Sequence, residues 1–365
     1  MVNIGIIGTG VGIRTYLYTF NQMENANVCA ISGSSKERAE EFAKEYQIKK
    51  ACKDYKELID LKDIDLVCIT APNKYHYEYA KYCIEAGKNM ILEKPATHTI
   101  DQAYELNQLI KKSNKVNIIN HQLRFNPYLT KVKEIINQGM LGRLYYIKIH
   151  QQSTGFSDKN LKLTWKLEEK EGGGEILSMG SHLVDLVRFW LNKEVLTVQG
   201  NMDVVIPKRK SYDDEIKDVT ACSFFSSCLN FQENITVNLS ATCSAIGKNE
   251  FNFSIYGENG ELHFDLENKL TGYFLDDKGK EQVIPVDGVT QEEKNNKISI
   301  FKGSFIYYAK QILFAIETDN YELLENASNM EDAIENQKVL DAIKESAITG
   351  KTIELNKGYS CNAKG

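Results

Sequence analysis

Three groups of residues in this 365-residue chain combine types and spacings that could do chemistry. The first is Gly8-Thr9-Gly10-Val11-Gly12-Ile13, between a short apolar stretch and a helical pattern. Glycines there let backbone N–H groups approach a phosphate at a helix N-terminus, where the dipole favours negative charge. The third glycine stands at Gly12, one residue ahead of the usual Gly-x-Gly-x-x-Gly spacing, so the strand-to-helix context carries as much weight as the motif. The second group is Thr70-Ala71-Pro72-Asn73-Lys74-Tyr75-His76 and Glu93-Lys94-Pro95, each directly after an apolar strand pattern. In an open parallel sheet the carboxyl ends of strands face the ligand crevice, which places Lys94 near a bound nicotinamide. Its ammonium can stabilise negative charge developing on oxygen. The third group is Ser178, His182 and Asp185, four and three residues apart in the helical pattern Glu175–Leu191. They run along the edge of an apolar stripe of Ile176, Met179, Leu183, Leu186, Val187 and Trp190. A histidine at the margin of a cleft can exchange a proton near neutral pH.

The end of the second strand bears on the nucleotide. NAD sites carry Asp or Glu about 20 residues beyond the fingerprint, accepting from a ribose hydroxyl. Here the chain reads Ser32-Gly33-Ser34-Ser35-Lys36, followed by Glu37 and Arg38. Hydroxyls and cations suit a 2′-phosphate that a carboxylate would repel, so NADP is favoured over NAD. The structural alternative is an ordinary helix cap at Ser34 or Ser35.

Positioning these groups requires an α/β chain. The candidate strands Asn3–Ile7, Asn27–Ile31, Leu66–Thr70, Met90–Leu92 and Val116–Ile119 alternate with the helical patterns Ser35–Tyr46, Asn73–Ala86 and Ile100–Lys111. Gly87 closes the second of these helices. That alternation predicts a Rossmann-type, doubly wound parallel sheet over residues 1–122. Beyond Pro127 come a helix to about Gln138, a strand at Leu144–Gln152, a Gly-rich turn and the helix bearing His182. Alternating segments such as Ile235–Thr242, Phe251–Tyr256 and Glu261–Asp265 then predict a large, mostly antiparallel open sheet within an α/β domain spanning 123–365. Helical patterns at Ser304–Ile316 and Met330–Ser346 follow.

Composition excludes several classes. Hydrophobic residues at 42% and charged ones at 26% fit a globular chain rather than a disordered one. The formal charge of −6 gives no footing to a nucleic-acid surface. The basic run Lys208-Arg209-Lys210 is expected to be a solvated loop. No run approaches the ~20 apolar residues of a membrane span, and nothing resembles a signal peptide, so the expected location is the cytoplasm. Eight cysteines without a Cys-x-x-Cys pair or a Cys/His cluster point to reduced, mostly buried thiols and no metal site.

Taken together, the fingerprint, the Thr-x-Pro-Asn-x-x-His and Glu-Lys-Pro segments, Arg124-Phe125-Asn126-Pro127, Gly172-Gly173-Gly174 and Gly180-Ser181-His182-Leu183-Val184-Asp185 resemble the Gfo/Idh/MocA family of oxidoreductases. The resemblance implies nicotinamide-dependent interconversion of a hydroxyl and a carbonyl on a sugar, sugar derivative or cyclitol. It further implies a homodimer or homotetramer formed through the C-terminal sheet. It makes Lys94 and His182 the catalytic pair, with Lys94 contacting both nicotinamide and substrate. Arg124 falls near the nicotinamide, and Trp165-Lys166 stand where many members have Trp-Arg beside the substrate. Ser32, Gly33, Ser34, Lys36, Arg38, Thr70, Ala71, Pro72, Asn73, His76 and Glu93 join the fingerprint on the cofactor side. Ser178 and Asp185 join the substrate side. One departure stands out: many catalytic members have aspartate where this chain has Ser178, which biases His182 less toward its protonated form. That departure keeps open a cofactor-binding regulator without catalysis, and an NAD-dependent glycosidase is a further alternative.

Overall fold

The computed structural model describes residues 1–266, 269–295 and 297–355. Two compact units form, one from Met1–Asn126 with Phe301–Ile334, the other from Pro127–Ile300 with Glu335–Gly365. The first unit therefore runs four residues past position 122 and takes in 301–334, which the sequence pattern placed with the second domain. The cause is apolar packing. Phe305, Tyr308, Ala309, Ile312 and Leu313, on the helix Ile300–Thr318, share a core with Ile4, Ile6, Tyr16 and Phe20.

In the first unit six strands, β1 (Val2–Ile7), β2 (Ala26–Ser32), β3 (Lys50–Cys52), β4 (Leu66–Ile69), β5 (Asn89–Leu92) and β6 (Asn117–Ile119), pair in the order β3-β2-β1-β4-β5-β6. Every pairing is parallel. Strands buried on both faces explain the near-continuous apolar runs. The order reverses between β1 and β4, so the loops after those two strands flank the switch point where α/β sheets bind ligands. Gly87, at φ +67°, ends the helix His76–Glu85 as expected.

The second unit is built on β7 (Leu144–Gln152), β8 (Val195–Asp203), β9 (Lys208–Lys210), β10 (Ile216–Asp218), β11 (Phe224–Phe231), β12 (Ile235–Thr242), β13 (Glu250–Gly257), β14 (Gly260–Asp265), β15 (Lys269–Phe274), β16 (Gln282–Val283) and β17 (Ile353–Glu354). Nine of them form one sheet, β16-β15-β14-β13-β7-β12-β11-β8-β17, antiparallel except where β7 meets β12; β9 and β10 form a separate ribbon. Strict alternation along β12 buries Ile235, Val237, Leu239 and Ala241 on one face. On that apolar side Phe253 stacks with Phe264 at 5.2 Å and meets Trp190 edge-on at 4.9 Å, which seats the helix Ser181–Leu191.

Candidate active site

On the first unit, the glycine turn assigns each glycine a different task. Gly8, at φ +112°, adopts a conformation side chains avoid, and a Cβ there would lie 2.7 Å from the Thr70 carbonyl oxygen. At Gly12 a Cβ would lie 2.6 Å from Thr70 Oγ1 and 2.7 Å from Ile6 Cγ2, so this glycine lets the following π turn, Gly12–Leu17, press onto the sheet. A Cβ on Gly10 would meet no atom within 4 Å apart from its chain neighbours. The middle glycine thus keeps open the cradle that a pyrophosphate needs at a helix N-terminus.

The rim of that turn is cationic. Arg38 Nε donates to Thr9 Oγ1 at 3.0 Å, and its guanidinium lies 5.1 Å from the centre of the Phe42 ring. Ser35 is the cap of the helix Lys36–Glu45, accepting from the Arg38 amide, so the capping alternative is realised at that residue. Ser34 and Lys36 are exposed, Lys36 pairing with Glu40 at 3.6 Å. A Cβ on Gly33 would lie 3.3 Å from Thr9 Cγ2, and the Ser32 hydroxyl is buried with no hydrogen-bond partner among the described residues.

Lys94 leaves the end of β5 from a braced loop. Glu93 Oε1 accepts from Tyr16 Oη at 2.8 Å and Asn120 Nδ2 at 2.7 Å, and Oε2 accepts from the Lys94 amide at 3.2 Å. Burial, and then the neighbouring Glu93 charge, push the Tyr16 hydroxyl well above its ordinary range, so it stays a donor. His76, only 1% exposed, lies with Nδ1 2.8 Å from the Pro95 carbonyl and Nε2 2.8 Å from that of Ala71. With its nitrogen turned toward the acceptors, the Asn73 amide donates to the carbonyls of Thr97 and Pro95, both at 3.2 Å. His76 and Asn73 thus lace the Thr70–His76 segment to the loop after β5, while Glu93 ties that loop to Tyr16 and Asn120. Arg124, 6% exposed, pairs with Asp332 at 3.0 Å, and Asp332 and Asn329 cap one another. His121 Nδ1 lies 2.8 Å from Ser328 Oγ. Tyr16, Asn120, His121 and Asp332 escaped sequence reasoning, although Asn120-His121, polar and directly after the apolar β6, carried a usable signal.

On the second unit a glycine turn does different work. Gly172 and Gly174 take φ +81° and +107°, and a Cβ on Gly173 would lie 2.4 Å from the Lys166 carbonyl oxygen. Gly174 N donates to Lys166 O at 3.0 Å and Glu175 N to Cys222 O at 2.8 Å. The turn therefore clamps Trp165-Lys166 beside the π turn Ile176–Gly180 that leads into the His182 helix. Trp165 is 40% exposed, with Lys166 Nζ 5.9 Å from its ring centre.

Two expectations are corrected here. The His182 helix is not amphipathic with a polar edge: every residue from Ser181 to Leu191 is buried, His182 and Asp185 included, while Ser178 is exposed. Trp190 Nε1 donates to Leu129 O at 2.9 Å, Asn336 Nδ2 to Ser181 O at 2.8 Å, and Gly180 admits Phe225 and Leu340, so neighbours pack against it on several sides. The Lys208–Lys210 run is a strand rather than a solvated loop. Arg209 is 3% exposed and donates to the carbonyls of Phe156, Asp158 and Leu161.

Seven cysteines are free thiols, six of them buried; Cys361 lies outside the described residues. Burial pushes Cys83 and Cys243 up to about 12, which removes them as nucleophiles. Among the described residues no group of three His, Cys, Asp or Glu side chains could hold a metal, and no helix is long and apolar enough to cross a membrane.

Residues 2–121 match the model of the oxidoreductase family with an NAD-binding Rossmann fold, and residues 133–355 match the C-terminal alpha/beta domain of the same family. The chain is 28% identical over 269 residues to an uncharacterized oxidoreductase of Synechocystis sp., covering 73% of this chain and 72% of that protein. It is 24% identical over 300 residues to levoglucosan dehydrogenase of Pseudarthrobacter phenanthrenivorans, covering 73% and 74%. Among solved structures, levoglucosan dehydrogenase in complex with NADH and L-sorbose shares its fold, with a TM-score of 0.85 at 22% identity over 97% of this chain and 99% of that one.

Proposed function

This chain belongs to the Gfo/Idh/MocA oxidoreductase family, and from that premise we propose that it interconverts a hydroxyl and a carbonyl on a sugar, sugar derivative or cyclitol, with NADP(H) preferred. The observation that carries the reading is the open cradle at Gly10, at the sheet's switch point, on the same strand-end edge as the braced Lys94 loop. Sugar dehydrogenases among the relatives support the substrate class. NADP preference rests on Arg38, tied to Thr9, and on the absence of a carboxylate between Ser32 and Lys36.

The nicotinamide, when bound, supplies the hydride acceptor or donor. Lys94 holds the reacting oxygen and stabilises the charge that develops on it as its proton leaves or returns. His182 takes or gives that proton at its imidazole, and Trp165, Lys166, Ser178 and Asp185 position the substrate. Arg124, ion-paired with Asp332, is assigned to shaping the cofactor side rather than to binding phosphate. The seven free thiols favour a reducing cytoplasm. The nine-stranded sheet supplies the surface for a homodimer or homotetramer. Its polar face holds an open groove of about 640 Å³ that includes Lys148, His150 and Asn238, and light scattering measures the mass.

The test is turnover of the Lys94→Ala variant on a panel of sugars and cyclitols with NADP. A fall of about 100-fold or more is expected, with NADPH binding retained. A loss within a few-fold would overturn the mechanism. Ser178 in place of a carboxylate favours a second reading, a regulator that binds the cofactor without turning over; binding with no turnover across the panel identifies it.

A further inference from the structure

A neutral imidazole carries one N–H and one lone pair, yet both ring nitrogens of His76 face carbonyl oxygens at 2.8 Å. Only the imidazolium makes both contacts hydrogen bonds. In the neutral ring a nitrogen lone pair points at an oxygen lone pair, and one of the two loops must draw back. The two carbonyls belong to Ala71, on the loop after β4, and Pro95, the residue next to Lys94. The charged groups bearing on the ring are Glu93, which favours the cation, and Lys94, which opposes it. Glu93 accepts from three donors, Tyr16, Asn120 and the Lys94 amide.

We propose that His76 is a positioning residue rather than a cofactor contact: its imidazolium ties the Ala71 loop to the Lys94 loop, and its neutral form releases one of them. The inference deepens the cofactor reading above, since the loops it joins flank the switch point. Burial, the largest influence, holds the His76 pKa below its ordinary value, so the doubly bonded state gains population as pH falls below about 6.5. The stability linked to this histidine runs the opposite way. It is fully present above about pH 6.5 and is lost as pH falls through the lowered folded pKa, because charging a buried ring opposes folding.

Two measurements on the full chain test this. Nitrogen NMR of histidine-labelled protein between pH 5 and 8 should show His76 passing from one protonated ring nitrogen to two. NADPH titrations followed by nicotinamide fluorescence should tighten several-fold from pH 7.5 to 5.5 in the wild type, beyond any change in His76→Gln, which cannot titrate. Retention of a single neutral tautomer across the range overturns the proposal, as does a pH dependence of binding identical in both proteins. Absence of NADPH and NADH binding at every pH would instead fail the cofactor reading, with the NMR result still deciding the state of His76.

Discussion

Two glycine turns, one in each unit, lead into helices that open with a π turn, yet they exist for opposite reasons. At Gly8-Thr9-Gly10-Val11-Gly12 the outer glycines satisfy the chain, one by its positive φ and one by its closeness to Thr70 and Ile6, while the middle one faces open space. At Gly172-Gly173-Gly174 both outer glycines take positive φ, and the middle one is pressed against the backbone of Trp165 and Lys166. The first turn leaves room beside its middle glycine. The second leaves none, and places a loop. Composition cannot separate the two cases; the position of a missing Cβ does.

Alanine at the middle glycine of each turn separates them experimentally, and the larger effect belongs to the second. In Gly173→Ala the new methyl collides with a main-chain carbonyl at 2.4 Å, which cannot swing aside like a side chain. A loss of about 3 kcal/mol is expected, lowering the melting transition by about 5 °C or more. NADPH affinity of the folded fraction should stay within about twofold. An unchanged melting temperature would mean the turn tolerates a side chain, and the contrast would collapse.

Gly10→Ala should do the reverse. With no atom within 4 Å of the new methyl, melting should shift by about 1 °C at most, while NADPH and NADH binding weaken about tenfold, equivalent to about 1.4 kcal/mol. Tight binding retained in this variant would remove the cradle from the cofactor site.

Legibility in the sequence follows the same division between what is local and what is not. β7 and β12 carry the expected boundaries because each alternates over eight or nine residues with one face buried. β3 and the helix Tyr55–Ile59 went unseen, three and five residues being too short for a period to show. The fingerprint, Lys94 and His182 were visible because their types are unusual directly after an apolar strand or within an apolar helix. Their supports were not: Tyr16 reaches Glu93 across 77 residues, and His121 reaches Ser328 across 207, separations at which one sequence carries no pairing signal. The helix around His182 misled for a related reason. Its spacing shows a polar edge, but groups that pack against the helix, such as Asn336 on the Ser181 carbonyl, come from far along the chain.

The smallest predicted effects lie on the rim of the first turn and bear on which nucleotide enters it. Arg38 and Lys36 looked equivalent in the sequence, as cations beyond a strand lacking its carboxylate. The structure separates them: both are exposed, but Arg38 is bonded to Thr9, inside the turn, whereas Lys36 is turned to Glu40 one helical turn away. A guanidinium already held beside the turn loses little freedom on meeting a phosphate, while an ammonium that must leave Glu40 gives up that pair and is screened by salt. Arg38→Ala should therefore weaken NADPH about five- to tenfold and leave NADH nearly unchanged, and Lys36→Ala should change NADPH less than about twofold. Equal losses for NADPH and NADH in Arg38→Ala would show that the arginine shapes the turn rather than reading a 2′-phosphate, and NAD would then become the expected cofactor on the same cradle.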